Sequence, residues 1–291
     1  MSTAQCPEIL YGLVDGAQYP EALAPWVLEF SPETRSLFEG LPEDEAGNAA
    51  PILFEIDDVD SEWVRQIDDM DRYRPCLTVM RSALRIDELK VHLQRFLFAD
   101  IGDGMQVLLR LFDPRSLGSI LDVCGQEVKA ALTLPIETWI YRGGYSEWQN
   151  VEIGARRGNS DPESTAISLS AQQLDELERC DEPYTLMSEL DFIDEAQPYA
   201  TRYQDFMRRY VEAVKWRLAQ RADRQTFCVA SYQYGERFDE HEAIQFAIRA
   251  SVAHGTPLLD EFQQVPAYVW QRLKGEFERR ANVLGNGGAE E

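Results

Sequence analysis

Met105-Gln-Val-Leu-Leu-Arg-Leu-Phe-Asp-Pro-Arg115 is the stretch on which the reading of the fold turns. Residues 105–112 are apolar except for Gln106 and Arg110, the pattern of a central strand covered on both faces. Gly102-Asp103-Gly104 ahead of it supplies turn chemistry. Asp113-Pro114 then opens a helix, with Asp as N-cap and Pro at the first helical position, where its missing N–H removes no hydrogen bond. The same alternation of strand and helix continues on either side. Residues 9–14, 51–56 and 76–80 read as short apolar strands, the first ending at Asp15-Gly16. Residues 135–141 and 145–153 read as a hairpin about Arg142-Gly143-Gly144. Leu89, Leu93, Phe96 and Leu97 recur on one helical face behind Asp87 as N-cap, and residues 128–132 form a short further helix. The expected fold is an α/β (mixed α+β) N-terminal lobe with a central mixed sheet.

Beyond it the pattern changes. Hydrophobic periodicity lapses at residues 154–164 (GARRGNSDPES), and the domain boundary is placed there: residues 1–158 form the mixed α/β domain and residues 159–291 a helical lobe with a frayed C-terminal tail. Ser170-Ala-Gln-Gln173 starts a helix with a capping box. Residues 198–222 carry Tyr203, Phe206, Met207, Tyr210, Val214 and Leu218 on one face of a long amphipathic helix. Helices over 226–234, 240–253 and 268–281 complete an all-α lobe of about five helices.

Composition excludes several classes. The 291 residues are 44% apolar and 27% charged, an ordinary globular balance. With 51 acidic and 28 basic residues the net charge is −23, which repels phosphate backbones and anionic membrane surfaces. Neither nucleic acid nor stable membrane association is expected. No apolar run approaches the roughly 18 residues of a membrane span, and the N-terminal residues lack the pattern of a secretory signal. The five cysteines, Cys6, Cys76, Cys124, Cys180 and Cys228, are scattered and form no CxxC pair, which points to reduced thiols and a cytoplasmic location.

Charge is unevenly spread. Residues 1–73 carry a net −14 and residues 160–197 a net −10, whereas residues 198–224 carry a net +4. The stretches are either solvated faces or opposite-sign docking surfaces that steer protein partners. On the basic stretch, Arg202, Arg208, Arg209 and Arg217 are candidates for meeting an acidic partner.

Signatures of catalysis and of cofactors are missing. There is no G-x-S-x-G. His92 lies near the buried side of its helix, and His254 beside Gly255 suits a helix C-terminus. His241-Glu242 does not start a zincin motif, because the second histidine position is Gln245. Asp57-Asp58-x-Asp60 and Asp68-Asp69-x-Asp71 lack the glycine and the closing glutamate of a calcium loop. Gly102–Gly104 lacks the lysine and third glycine of a phosphate loop. No catalytic residue, metal or cofactor is assigned, although a hydrolase with a carboxylate site that no motif reveals stays open.

The unusual constellation is Arg110-Leu-Phe-Asp113-Pro114-Arg115. Arg110 interrupts a run that otherwise reads as buried, and a buried guanidinium requires a carboxylate, with Asp113 or Asp15 as candidates. The corner is either an ion pair that pins the chain or a recognition surface with Arg115 facing a partner.

These residues also belong to an ordered set: Tyr11-Gly-Leu-Val-Asp15-Gly-Ala17, Leu37-Phe38-Glu39-Gly40, Pro51-Ile-Leu-Phe54, Leu89-x-x-His92-Leu93-x-Arg95, the Arg110–Arg115 run, and Pro135-Ile136 with Trp139. Over about residues 9–140 the set resembles the effector adaptor/chaperone family of bacterial type VI secretion systems (domain of unknown function 4123). Gln94 stands where a second arginine is often seen before Arg95. The resemblance implies a non-enzymatic cytoplasmic protein of a Gram-negative bacterium, which binds a toxin effector and loads it onto the valine-glycine-repeat spike protein for export. It transfers no catalytic residues. In this reading the α/β lobe is the rigid frame, and the helical lobe together with the cleft between the lobes grips an apolar or helical segment of the toxin. The alternative from another class of binder is an immunity protein that neutralises a toxin.

Overall fold

The computed structural model describes residues 8–153 and 167–286. The boundary stretch 154–164, Cys6 and the end of the C-terminal tail lie outside the described residues. The chain divides into two compact units, Met1–Asp181 with Asp194–Arg202, and Glu182–Ile193 with Tyr203–Glu291.

The first unit is built on a six-stranded sheet of β1 (Ile9–Asp15), β2 (Thr34–Ser36), β3 (Pro51–Glu55), β4 (Leu77–Ser82), β7 (Ile136–Tyr141) and β8 (Gln149–Asn150). Its order is β2-β3-β1-β4-β7-β8, and each neighbouring pair is antiparallel. Alternation along the strands sends side chains to two cores. Tyr11, Leu13, Leu53, Met80 and Trp139 enter one, with Leu89 and Leu93 of α3 (Ile86–Gln94) and Leu117, Ile120 and Leu121 of α4 (Leu117–Thr133). Val14, Ile52, Phe54 and Leu77 enter the other, with Leu23, Ala24 and Val27 of α1 (Leu23–Phe30) and Ile67 of α2 (Glu62–Tyr73). Because both faces are covered, β1 and β3 read as continuous apolar runs although their pairing is antiparallel.

A smaller sheet of β5 (Phe98–Gly102), β6 (Met105–Leu108) and β9 (Ile167–Ser168) has the order β6-β5-β9. The mixed strand direction resides here, since β5 pairs antiparallel with β6 and parallel with β9. The run 105–112 is therefore not the central strand its composition suggests. It contributes a four-residue edge strand on which Met105 is 55% exposed. Leu109, Leu111 and Phe112 are buried just past its end, in a corner closed by Leu111 N–H donating to Leu109 O and Asp113 N–H donating to Arg110 O. A buried corner and a buried strand leave the same apolar signature, and the turn separates them.

The helix expected to open at Asp113-Pro114 starts at Leu117, after a turn in which Asp113 O accepts from Ser116 N–H and Leu117 N–H. The separate short helix expected over 128–132 is the second part of α4, which Gly125 kinks at φ 83°. Asp87 is not the cap of α3. Arg85 occupies that position, its N–H donating to Glu88 at 3.0 Å, while Asp87 pairs with Arg35 at 2.6 Å.

The second unit is helical. The division between units falls within α5 (Ala171–Ser188) and within α6 (Tyr199–Lys215). The other helices are α7 (Arg221–Tyr234), α8 (Glu242–His254), α9 (Leu258–Gln264) and α10 (Ala267–Asn286). Their core gathers Phe227, Phe238, Ile244, Ile248, Leu258 and Phe262. The α/β lobe followed by a helical lobe is the expected class. The helix expected over 198–222 is two helices, because Arg217 takes a left-handed conformation (φ 61°) and ends α6. Residues 258–264, which carried no prediction, form α9.

Candidate functional site

Asp15 closes β1 and is fully buried. Its Oδ1 accepts from Ala17 N–H at 3.2 Å, and its Oδ2 from Gln18 Nε2 at 2.9 Å and from Arg110 Nη2 at 2.8 Å. Arg110 also lies 3.2 Å from Asp113 Oδ2. Asp113, 2% exposed, holds Arg115 in a fork: Nε donates to Oδ1 at 2.9 Å and Nη2 to Oδ2 at 2.8 Å. The Arg115 backbone N–H also donates to Oδ1, at 3.0 Å. Ser116 Oγ donates to Asp181 Oδ1 at 3.0 Å, which adds a third carboxylate. Both carboxylates offered as partners of Arg110 are thus engaged, and the apolar flanks Leu109, Leu111 and Phe112 seat the corner in the core.

Electrostatics follow from this crowding. Burial pushes the Asp15 carboxyl above the usual carboxylate range, and the neighbouring Asp113 adds repulsion. Burial raises Asp181 in the same way. Burial works against the charge of Arg115, yet the fork from Asp113 holds its pKa above that of a free guanidinium. The side chain of Arg110 is 42% exposed, so the corner shows one guanidinium to solvent and encloses the other, at 17%.

The four arginines of the basic stretch are placed differently. Arg202 is buried and donates to Gln197 O at 3.0 Å and Tyr73 O at 2.5 Å. Arg209 donates to Ser231 O at 3.0 Å, pairs with Asp205 and Glu236, and lies 4.0 Å from the Tyr232 ring centroid. Arg208 is exposed but paired with Asp205 at 2.6 Å. Arg217 is exposed and makes no ion pair among the described residues.

A second buried cluster was not singled out from the sequence. Asp71 accepts from Cys76 N–H at 2.7 Å and Leu77 N–H at 2.8 Å, and pairs with Arg142 at 3.0 Å. Arg142 also reaches Asp68 at 2.6 Å and lies 4.1 Å from the Trp148 ring centroid. The signal was present: Asp71 follows Ile67 by four residues, on the buried face of α2. Gln94, at the position where the resemblance leads one to expect arginine, donates to Leu37 O and Glu39 O, both at 3.0 Å, and so fastens the Leu37–Gly40 motif to α3. His92 Nε2 lies 2.7 Å from Leu132 O, and burial lowers its pKa. His241 caps α8, its Nδ1 accepting from Ala243 N–H. Among the described residues no group of three His, Cys, Asp or Glu side chains is placed to hold a metal ion, and no helix is long and apolar enough to cross a membrane.

The first unit is thus an α/β frame in which the buried carboxylates Asp15, Asp71 and Asp113 pin its own corners. Residues 10–131 match the model of a family described as "Domain of unknown function (DUF4123)". No curated protein and no solved structure matches the chain.

Proposed function

We propose that this chain is a non-enzymatic adaptor and chaperone that binds a toxin effector of a type VI secretion system and loads it onto the valine-glycine-repeat spike protein in the cytoplasm of a Gram-negative bacterium. The observation that carries the reading is the ordered motif set over residues 9–140, which coincides with the family match over 10–131. The saturation of the corner supports it from the chemical side. Asp15, Asp113 and His92 spend their polar atoms on Arg110, Arg115, Gln18 and backbone groups, so they do not converge as a free acid, base and nucleophile. On this reading the α/β unit supplies rigidity and the helical unit takes up an apolar segment of the toxin, which keeps that segment from aggregating before handover.

The test is genetic and biochemical together. The tagged chain should co-purify with a toxin encoded beside it, and its deletion should abolish export of that toxin while leaving assembly of the secretion apparatus intact. Normal export in the deletion strain would refute the proposal. Rescue of toxin-treated cells by the chain alone would instead identify an immunity protein.

A further inference from the structure

A groove of about 610 Å³ runs between α7, α9 and the start of α10 in the helical unit. Its bed is apolar and aromatic. The Tyr234 and Trp270 ring centroids lie 4.6 Å apart, and the Phe262 ring meets Trp270 edge-on at 5.3 Å. Leu259 stands on its border, 55% exposed. None of the twelve residues that line it is charged, in a chain whose residues are 27% charged. Its polar groups are the side chains of Gln225, Thr226, Gln233 and Gln263, together with the Tyr234 hydroxyl and the Trp270 indole N–H. Gln225 is occupied with Glu189 at 3.2 Å, and the Thr226 hydroxyl with Ala222 O at 2.9 Å. The side chains of Gln233 and Gln263 make no hydrogen bond with other described residues, so two amides beside the bed are free to donate and accept.

From these features we infer that the groove is the seat of a helix of the bound toxin that turns an uncharged, apolar face toward this chain; the inference rests on the adaptor reading. Complementarity of charge fixes the occupant. A lysine or glutamate pressed against this lining would lose its hydration and find no counter-ion among the twelve lining residues, which is costly in a desolvated contact. A face of leucine, alanine and small polar residues loses nothing, and its polar side chains find Gln233 and Gln263. A channel walled by helices can take the side-chain ridge of another helix. The tyrosine and tryptophan of the bed, packed at a tilt, are residue types on which binding energy concentrates.

The experiment uses the intact chain with two probes. One is a fluorescently labelled synthetic helical peptide with a leucine–alanine face and a serine–glutamine face, and the other is the co-encoded toxin. Leu259→Glu and Gln263→Glu both change exposed side chains, so circular dichroism and thermal melting should match the parent. Each should weaken binding of peptide and toxin by at least about tenfold, which corresponds to about 1.4 kcal/mol. Leu259→Met should bind like the parent. Parent affinity for the peptide, both of whose faces are uncharged, should change by less than about twofold as sodium chloride rises from about 0.05 M to about 0.5 M, because no ion pair is screened and no charged probe is steered. Failure of the parent to bind the peptide overturns the inference, as does parental binding of the toxin by both glutamate variants. Peptide binding that behaves as stated, in a chain that no co-encoded toxin accompanies, would count against the adaptor reading alone.

Discussion

Asp113→Asn is the most informative single change at the buried corner. Asp113 accepts three hydrogen bonds from Arg115, between 2.8 and 3.0 Å, and faces Arg110 at 3.2 Å. Asparagine keeps the shape but turns an NH2 toward a guanidinium that cannot accept, and it removes the charge opposite the enclosed Arg115. Removing one partner of a buried pair costs about 3–5 kcal/mol, and a unit of this size melts about 2–4 °C lower per kcal/mol, so the midpoint should fall by roughly 6–20 °C. Asp15→Asn should behave differently, although Asp15 is the more buried of the two. Its ionic partner Arg110 is 42% exposed, so water takes over much of what is lost, and the cost should stay near about 1 kcal/mol. Its carboxyl is also raised, by burial and then by Asp113. A raised native pKa means that the folded state holds the proton more tightly than the unfolded chain. The associated stability is present below the ordinary Asp pKa and is lost as pH rises through the native value. Asp15→Asn removes that loss, so its deficit against the parent should shrink as pH rises above the ordinary carboxylate range. The assay is urea unfolding of the intact chain, followed by tryptophan fluorescence and circular dichroism, from about pH 4 to about pH 7. The reasoning is refuted if Asp113→Asn lies within about 1 kcal/mol of the parent, or if Asp15→Asn is the more damaging change.

Three further outcomes follow from the same packing. Gly16→Ala would place a Cβ 2.4 Å from Ala50 O and 2.5 Å from Asn48 O; because both are backbone atoms, about 1–3 kcal/mol of destabilisation is expected in thermal melts. Arg142→Met should cost about 3–5 kcal/mol by stranding the fully buried Asp71, and Arg142→Lys should recover only part of that, because an ammonium cannot reach Asp68 and Asp71 together while stacked on Trp148. Burial raises the Cys76 thiol well above its ordinary value and pushes Cys124 up to about 11 and Cys228 up to about 12. Mass-spectrometric mapping with a maleimide at neutral pH should therefore find these three far slower to react in the native chain than in urea.

The sequence reveals some levels of this structure and hides others for identifiable reasons. Strands β1, β3 and β4 were legible because both faces of the sheet are covered, so their residues are apolar in succession. The same rule misled at 105–112, where a buried irregular corner leaves the trace of a buried strand. Helix α2 was missed because its twelve residues (EWVRQIDDMDRY) include three aspartates, and its buried stripe is carried by few apolar side chains. At the corner, both carboxylates that hold Arg110 were legible, since an arginine within an apolar run requires them. Asp181 was not legible, because it meets Ser116 from 65 residues away. Arg142 read as part of a hairpin turn, and only its contact with Asp71 reveals it as a buried cation.

Where charge is spent bears most directly on how a partner would be held. The acidic stretch 160–197 and the basic stretch 198–224 are opposite in sign, and the helical unit pairs residues of one with residues of the other. Glu182 takes Arg224 in a fork with both contacts at 2.5 Å, and also accepts from Tyr210 at 3.0 Å; Glu189 takes Arg221 at 2.6 Å. Arg208 and Arg209 share Asp205 and Glu236. Arginines so engaged give little to an incoming acidic surface, because each new contact must be set against one already made. Long-range steering by the net charge of −23 survives this pairing, since it depends on the sum of charges and not on their partners. Approach and grip thus separate physically. On the proposed reading the acidic excess would set how fast a basic partner arrives, whereas the contacts that retain it would fall to the uncharged groove lined by Leu259 and Trp270. Raising the salt should slow association and leave dissociation unchanged, and a dissociation rate that climbs with salt would contradict this division.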